Sequence, residues 1–164
     1  MTNVPSKTQV RLAQIVIVLL IGFLVVGALW YGISSEELSR FWTDLRQRPG
    51  GPMTFRFILQ PLMATTAAVT DGIRDAKAGR SAYLWTVLTD PQERGGRLRE
   101  GVIATSRTIL LGIVMDTIYQ IVVLKTFYPA EAAVVAILLA FVPYLLIRGP
   151  ADRVANWWIG RSRH

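Results

Sequence analysis

Asp116 is the residue of this chain whose chemistry and position conflict most with its surroundings. It sits at the centre of Arg107-TILLGIVMDTIYQIVVL-Lys125, a stretch that otherwise reads as a membrane-spanning helix. Arg107 lies nine residues before it and Lys125 nine after. At 1.5 Å per residue the two cations stand about 27 Å apart along a helix, close to the hydrocarbon thickness of a bilayer. They can snorkel to opposite surfaces, which leaves Asp116 near the midplane. A carboxyl group there is costly and must face protein, water or a partner. On a helical wheel Thr105, Thr108, Gly112, Asp116, Tyr119, Gln120 and Val123 share one broad face. Arg107, Leu111, Val114, Ile118, Val122 and Lys125 occupy the other. Gly112 permits close helix approach, and the neighbouring Thr, Tyr and Gln side chains can hydrogen-bond between helices. Arg107 is on the wrong side of its own helix, so a counter-charge must come from another element. Arg56 or Arg74 can supply it only if their segment dips into the bilayer.

Three roles fit a carboxyl group in this position. It can fix helix packing through hydrogen bonds, make a contact to another subunit, or relay a proton or cation. A relay needs several ionisable groups in register, and the other apolar spans contain none. The expected polar packing face is therefore Thr108, Gly112, Asp116, Tyr119 and Gln120. Arg56, Asp71, Arg74, Arg107 and Arg148 are expected as charged residues of the membrane interface.

Other motifs carry less. Asp71-Gly-Ile-Arg74-Asp75 reads as a solvated helix face with charge pairs at helical spacing, since no third oxygen ligand for a metal is evident. Arg94, Arg97 and Arg99 read as a membrane-surface patch facing anionic lipid; nucleic acid is not expected as a partner. The chain has no Cys, and its one His is the last residue, His164, which leaves little for metal, disulfide or nucleophile chemistry. Phosphate-loop, serine-hydrolase, zinc-protease and dinucleotide motifs are all missing. No catalytic residue, metal or cofactor is expected.

The elements around these residues follow from the apolar blocks. Of the 164 residues 52% are hydrophobic, and they fall in long uncharged runs rather than in alternating or amphipathic patterns. Residues 15–33 carry no charge and end near Trp30 and Tyr31; they read as an uncleaved membrane anchor, 1–33. A polar connection follows, closed by Arg48-Pro-Gly-Gly-Pro52. Residues 53–78 are amphipathic. Arg56, Gln60, Ala67, Asp71 and Arg74 lie within about 60° of one another on a wheel of 100° per residue, with Ile58, Leu62, Val69 and Ala76 opposite. The uncharged core, 57–70, is short for a span, so this helix is read as in-plane or re-entrant, with a crossing as the alternative. Asp90-Pro-Gln-Glu93 opens a helix, which Gly95-Gly96 is expected to weaken or break. Clear spans at about 102–124 and 132–147 form a helical hairpin, 102–148. Arg148-Gly-Pro150 is expected to end the last span before an interfacial tail, 149–164. The fold class is all-α: a polytopic membrane protein with three transmembrane helices and one amphipathic helix.

Orientation rests on charge. The net charge is +7, with eleven Lys or Arg between residue 40 and Arg107 and four from Arg148 onward, against Lys125 alone at the hairpin tip. The positive-inside tendency then places 34–101 and the C-terminus in the cytoplasm. The N-terminus lies outside with three crossings and inside with four.

The order of segments resembles a group of small bacterial inner-membrane proteins that carry no assigned activity. The resemblance spans roughly 57–153. It rests on Ile58-Leu-Gln-Pro61, residues 71–80, Leu88-Thr-Asp-Pro91, Val114-Met-Asp-Thr-Ile-Tyr-Gln120, Phe127-Tyr-Pro-Ala-Glu131 and residues 144–150. It implies a bacterial plasma-membrane location and no catalytic residues. The expected role is a small accessory or structural subunit, packed into a homo-oligomer or a larger membrane complex. The alternative is a small transporter or proton conductor using Asp116.

Overall fold

The computed structural model describes residues 5–32, 34–47, 50 and 54–161. The Arg48–Pro52 turn signal, Gly50 apart, and His164 lie outside the described residues. Those described form helices and no strands: α1 (Lys7–Tyr31), α2 (Ser35–Gln47), α3 (Arg56–Lys77), α4 (Tyr83–Thr89), α5 (Pro91–Tyr119), α6 (Pro129–Ala136) and α7 (Val142–Arg161). One π-helical turn, Gln120–Leu124, continues α5; another, Ile137–Phe141, joins α6 to α7. Three of these continuous helices are long and apolar enough to cross a membrane: Lys7–Tyr31, Pro91–Leu124 and Pro129–Gly160, with mean hydropathies of 2.9, 1.6 and 2.3 over their most apolar windows.

Local chemistry sets the helix ends. Ser6 caps α1 with its hydroxyl on the Gln9 N–H, and the Gln9 side chain returns a bond to the Ser6 N–H. Gly32, at φ 73°, stops the helix. Asp90 accepts from the N–H groups of Gln92 and Glu93 and places Pro91 in the first turn of α5. The expected break at Gly95-Gly96 does not occur, and α5 is continuous. Its first turns are tied to α4: the Arg94 side chain donates to the Val87 and Leu88 carbonyls, and the Tyr83 hydroxyl to the Arg97 carbonyl.

The helix expected to end at Arg148-Gly-Pro150 also continues, as α7 with Pro150 inside it. Proline removes the bond that its N–H would have made to the preceding turn, and its ring crowds the carbonyl four residues back. The turns around it are held from the side by α3. A Cβ added to Gly72 would stand 2.7 Å from the Arg148 carbonyl oxygen and 2.8 Å from Ala151 Cβ, so only glycine allows this approach. The last span and the expected tail are thus one helix, as far as Arg161.

The placement of α3 organises the rest of the bundle. This helix lies lengthwise in the bundle, along α7 and against α5. Gln60 sits beside Gly112, the Ala64 and Ala68 turns pack with Tyr144, and Gly72 meets Arg148. It therefore runs parallel to α7 and antiparallel to α5. Arg56, Gln60, Asp75 and Ala76 are buried, while Ile58, Leu62 and Val69 are exposed. Of the expected polar stripe Arg56 and Gln60 are inside and Arg74 is exposed; of the opposite face Ile58, Leu62 and Val69 are outside and Ala76 is inside. Within residues 34–101, α2 and α4 stand at opposite ends of the bundle. α2 stands at the hairpin tip, where Arg40 pairs with Glu131 at 2.8 Å and lies over the Tyr128 ring, whereas α4 stands at the Arg148 end.

α1 closes the bundle. Val16 packs with Ile109, Ile113, Ala136 and Ala140, and further along α1 Gly27 abuts Ala130. The Tyr31 hydroxyl donates to the Phe127 carbonyl at the tip. So α1 runs toward the tip, and Lys7 lies toward the Arg148 end.

Candidate functional site: two buried ionic clusters

The first cluster is built around Asp116, which is fully buried. One carboxylate oxygen receives the Arg56 guanidinium from the first turn of α3. The other accepts from the Gln120 side-chain amide, one turn further along its own helix, at 2.6 Å. The Gln120 carbonyl oxygen in turn accepts the Tyr128 backbone N–H at 2.6 Å, which fixes the chain as it leaves the hairpin tip. Gln120 is the first residue of a π-helical turn, a feature often found at functional positions. The Arg56 guanidinium also lies near two rings, 5.1 Å from the Phe57 centroid and 5.4 Å from that of Tyr119. Gly112, one turn away, lets α6 and α3 approach α5 closely: a Cβ there would lie 3.0 Å from Ala136 Cβ and 3.3 Å from the Gln60 amide nitrogen.

The second cluster lies at the other end of the α3–α5 seam, and its hub is Asp75. Arg148 Nε donates to one Asp75 oxygen at 2.8 Å. Arg80 and Arg97 reach the other at 3.2 and 3.4 Å. Arg148 uses its remaining nitrogens on the Tyr144 hydroxyl (2.6 Å) and Glu100 (3.1 Å), and stacks 4.2 Å from the Tyr83 ring centroid. The Tyr144 hydroxyl in turn donates to the Asp71 carboxylate at 2.9 Å. Arg97 adds a bond to the Ser81 carbonyl. Asp75, Arg97 and Arg148 are all 2–3% exposed. Tyr83 is enclosed as well, and burial pushes its phenol up to about 12. Arg80 is more open, and its hydrogen bond to Glu100 raises its already high pKa.

Between the clusters the seam is narrow. Ala64, Ala68, Ile109 and Ala140 are buried there, together with the Gln60 amide and the Thr105, Ser106 and Thr108 hydroxyl groups.

The residues singled out from the sequence fall as follows. Asp116, Gln120 and Arg56 meet directly, and Tyr119 and Gly112 flank them. Thr108 is buried on the same side of α5. Thr105 spends its hydroxyl on the Gly101 carbonyl of its own helix. Arg107 is exposed, away from the cluster. Arg74 is exposed and pairs with Asp71 at 3.0 Å. Arg148, expected at the interface, is inside the second cluster. Asp75, expected on a solvated face, is its hub; Arg97, expected on a surface patch, is also inside it. Tyr83, Glu100 and Tyr144 were not anticipated. One signal in the chain points to the arrangement. Arg56 and Asp75 are nineteen residues apart on α3, and Arg97 and Asp116 are nineteen apart on α5. Antiparallel packing pairs each arginine with the other helix's aspartate.

Fold and site together define an all-helical protein with three helices able, by length and composition, to cross a membrane, and with two charge clusters locking a fourth helix between them. No family model, characterised protein or solved structure matches this chain.

Proposed function

We propose that the chain is a small integral membrane protein of a bacterial plasma membrane that works as an accessory or structural subunit through helix packing. In this reading α1, α3, α5 and α6–α7 all cross the bilayer. Both termini and α4 lie in the cytoplasm, and α2 and the hairpin tip lie outside. The inside-out polarity of α3 supports the crossing, because a helix with its charges inward and its apolar face outward suits lipid rather than water. The positive-inside tendency supports the orientation, since Lys77, Arg80, Arg94, Arg97, Arg99 and Arg153 all lie toward the Arg148 end. The observation that carries the packing role is the use of Asp116: Arg56 and Gln120, both in this chain, take its two oxygens.

Topology is testable because the chain has no native cysteine. Single cysteines at Thr43 and Ser81 should label from opposite faces of intact membrane vesicles, Ser81 from the cytoplasmic one. Labelling of both from one face would remove α3 as a crossing.

The competing transport reading draws on the buried Gln60 amide, which lies between the two clusters and has no hydrogen-bond partner among the described residues. Against it stands the absence, among the described residues, of any ionisable side chain in the seam between the clusters: Ala64, Ala68, Ile109 and Ala140 are apolar, and Thr105 and Ser106 spend their hydroxyls on carbonyls of their own helix. The purified chain in liposomes should show no proton or cation flux above that of empty vesicles. From its native membrane it should instead extract in mild detergent with partner subunits or further copies of itself. A flux that vanishes in Asp116→Asn would replace the subunit role with transport.

A further inference from the structure

The outer side of the α3–α7 seam is not closed at the Arg148 end. A groove of about 500 Å³ lies between the last turns of α3 and the C-terminal half of α7. Its walls are apolar, with Val69, Ile73, Ile147, Val154 and Trp158 among them, and Lys77 is the one charged residue lining it. The groove is more open than enclosed, a shape that suits a chain lying along it rather than a ligand sealed within it. Because α3 and α7 run parallel, the groove has a direction. Val69 and Ile147 lie toward the bundle centre; Lys77 and Trp158 lie toward the basic end.

We infer that this groove holds an acyl chain of an anionic glycerophospholipid, with the lipid phosphate on Lys77. The inference rests on the proposed membrane location. Three features select this occupant. The groove is apolar along its length and cationic at one end, as an anionic lipid requires. Lys77 is exposed and has no carboxylate partner among the described residues, unlike Arg74, Arg80, Arg97 and Arg148; Arg94, Arg99 and Arg153 at the same end also have none, but only Lys77 lines the groove. Trp157 and Trp158, both exposed, stand at the level that aromatic side chains occupy beside lipid headgroups. A helix from a second copy would fill the walls but would trap the Lys77 ammonium in a dry contact unless it brought a carboxylate. A lipid phosphate supplies that charge and keeps it at the water boundary.

Bromine on a lipid chain quenches nearby tryptophan, and the groove holds one. Two full-length variants serve, one keeping Trp158 alone and one keeping Trp30 alone of the five tryptophans. Each is reconstituted in phosphatidylcholine vesicles doped with brominated phosphatidylglycerol or with brominated phosphatidylcholine. Trp30, exposed on α1, should be quenched equally by both. Trp158 should be quenched by the brominated phosphatidylglycerol at about one-fifth the mole fraction needed for the neutral lipid, the preference one lysine supplies. Lys77→Gln should abolish that preference. Ala155→Phe, which fills the groove, should protect Trp158 from both lipids. Soluble glycerol phosphate should not compete; competition would show a phosphate site without lipid specificity. Equal quenching of Trp158 by the two lipids, or a preference that survives Lys77→Gln, overturns the proposal while leaving the membrane reading standing. Failure of either lipid to quench Trp30 overturns both.

Discussion

Asp116→Leu should destabilise the bundle by about 3–5 kcal/mol, the usual cost of removing one partner from a buried ion pair. The variant leaves the Arg56 guanidinium buried, with no carboxylate against it, and Gln120 without its acceptor. Asn at position 116 keeps the side-chain shape and hydrogen bonds, so on the sequence alone it should preserve packing. With Arg56 placed against the carboxylate, Asn also removes the compensating charge. Asp116→Asn should therefore fall between the native chain and Asp116→Leu. The double variant Arg56→Met/Asp116→Leu replaces the pair with apolar groups of similar size. It should recover most of the loss, because apolar replacement of a buried pair is often neutral or better. Denaturant or thermal unfolding in bicelles measures all four proteins, and the double-mutant cycle isolates the coupling. A double variant no more stable than Asp116→Leu would mean that the carboxylate acts on something other than Arg56.

Asp75→Leu should have an effect of the same order or larger, because it strands two buried guanidinium groups, Arg97 and Arg148, rather than one. Glu100 cannot take over the role. It is 41% exposed and already engaged with Arg80 and Arg148. The control is Arg74→Ala on the same helix. That residue is 58% exposed and pairs with Asp71 at the surface, so its loss should cost about 0–1 kcal/mol. The contrast is informative because Asp71 and Asp75 look alike in the sequence, one helical turn apart on a charged segment. Comparable losses for Asp75→Leu and Arg74→Ala would show that the Asp75 cluster is solvated and that the α3–α7 seam is open. The site of damage should also differ. Hydrogen exchange in Asp75→Leu should rise first in α4 and the first turns of α5, which the Arg97–Ser81 and Tyr83–Arg97 bonds hold together.

Much of this protein is visible in the order of its residues. The apolar runs determine an all-helical chain with three membrane-length helices, because an uncharged run of about twenty residues has few other stable forms. The Asp90-Pro91 start of α5 and the Pro129 start of α6 depend on side chains next to the backbone they cap, so local sequence suffices. The buried face of α5, with Gly112, Asp116, Tyr119 and Gln120, follows from helical periodicity. The need of Asp116 for a partner on another element follows from the cost of a carboxyl group in an apolar setting.

What tertiary structure alone decided is the choice of partners. α3 could lie in-plane or cross, because amphipathicity shows that two faces differ and not which medium each one meets. Packing against α5 and α7 set α3 lengthwise in the bundle with Arg56, Gln60 and Asp75 inward, and the same contact carried α7 through Gly149-Pro150 against its local tendency to stop. Asp71 and Asp75 have nearly identical sequence surroundings. One is near the surface and the other at the hub of three arginines, because the depth of a residue depends on the helix packed over it. The matched nineteen-residue spacings on α3 and α5 are present in the sequence. They become a lock only once the two helices are antiparallel and in register, since a charge pair acts over a few ångströms while the residues that form it stand 60 and 22 positions apart in the chain.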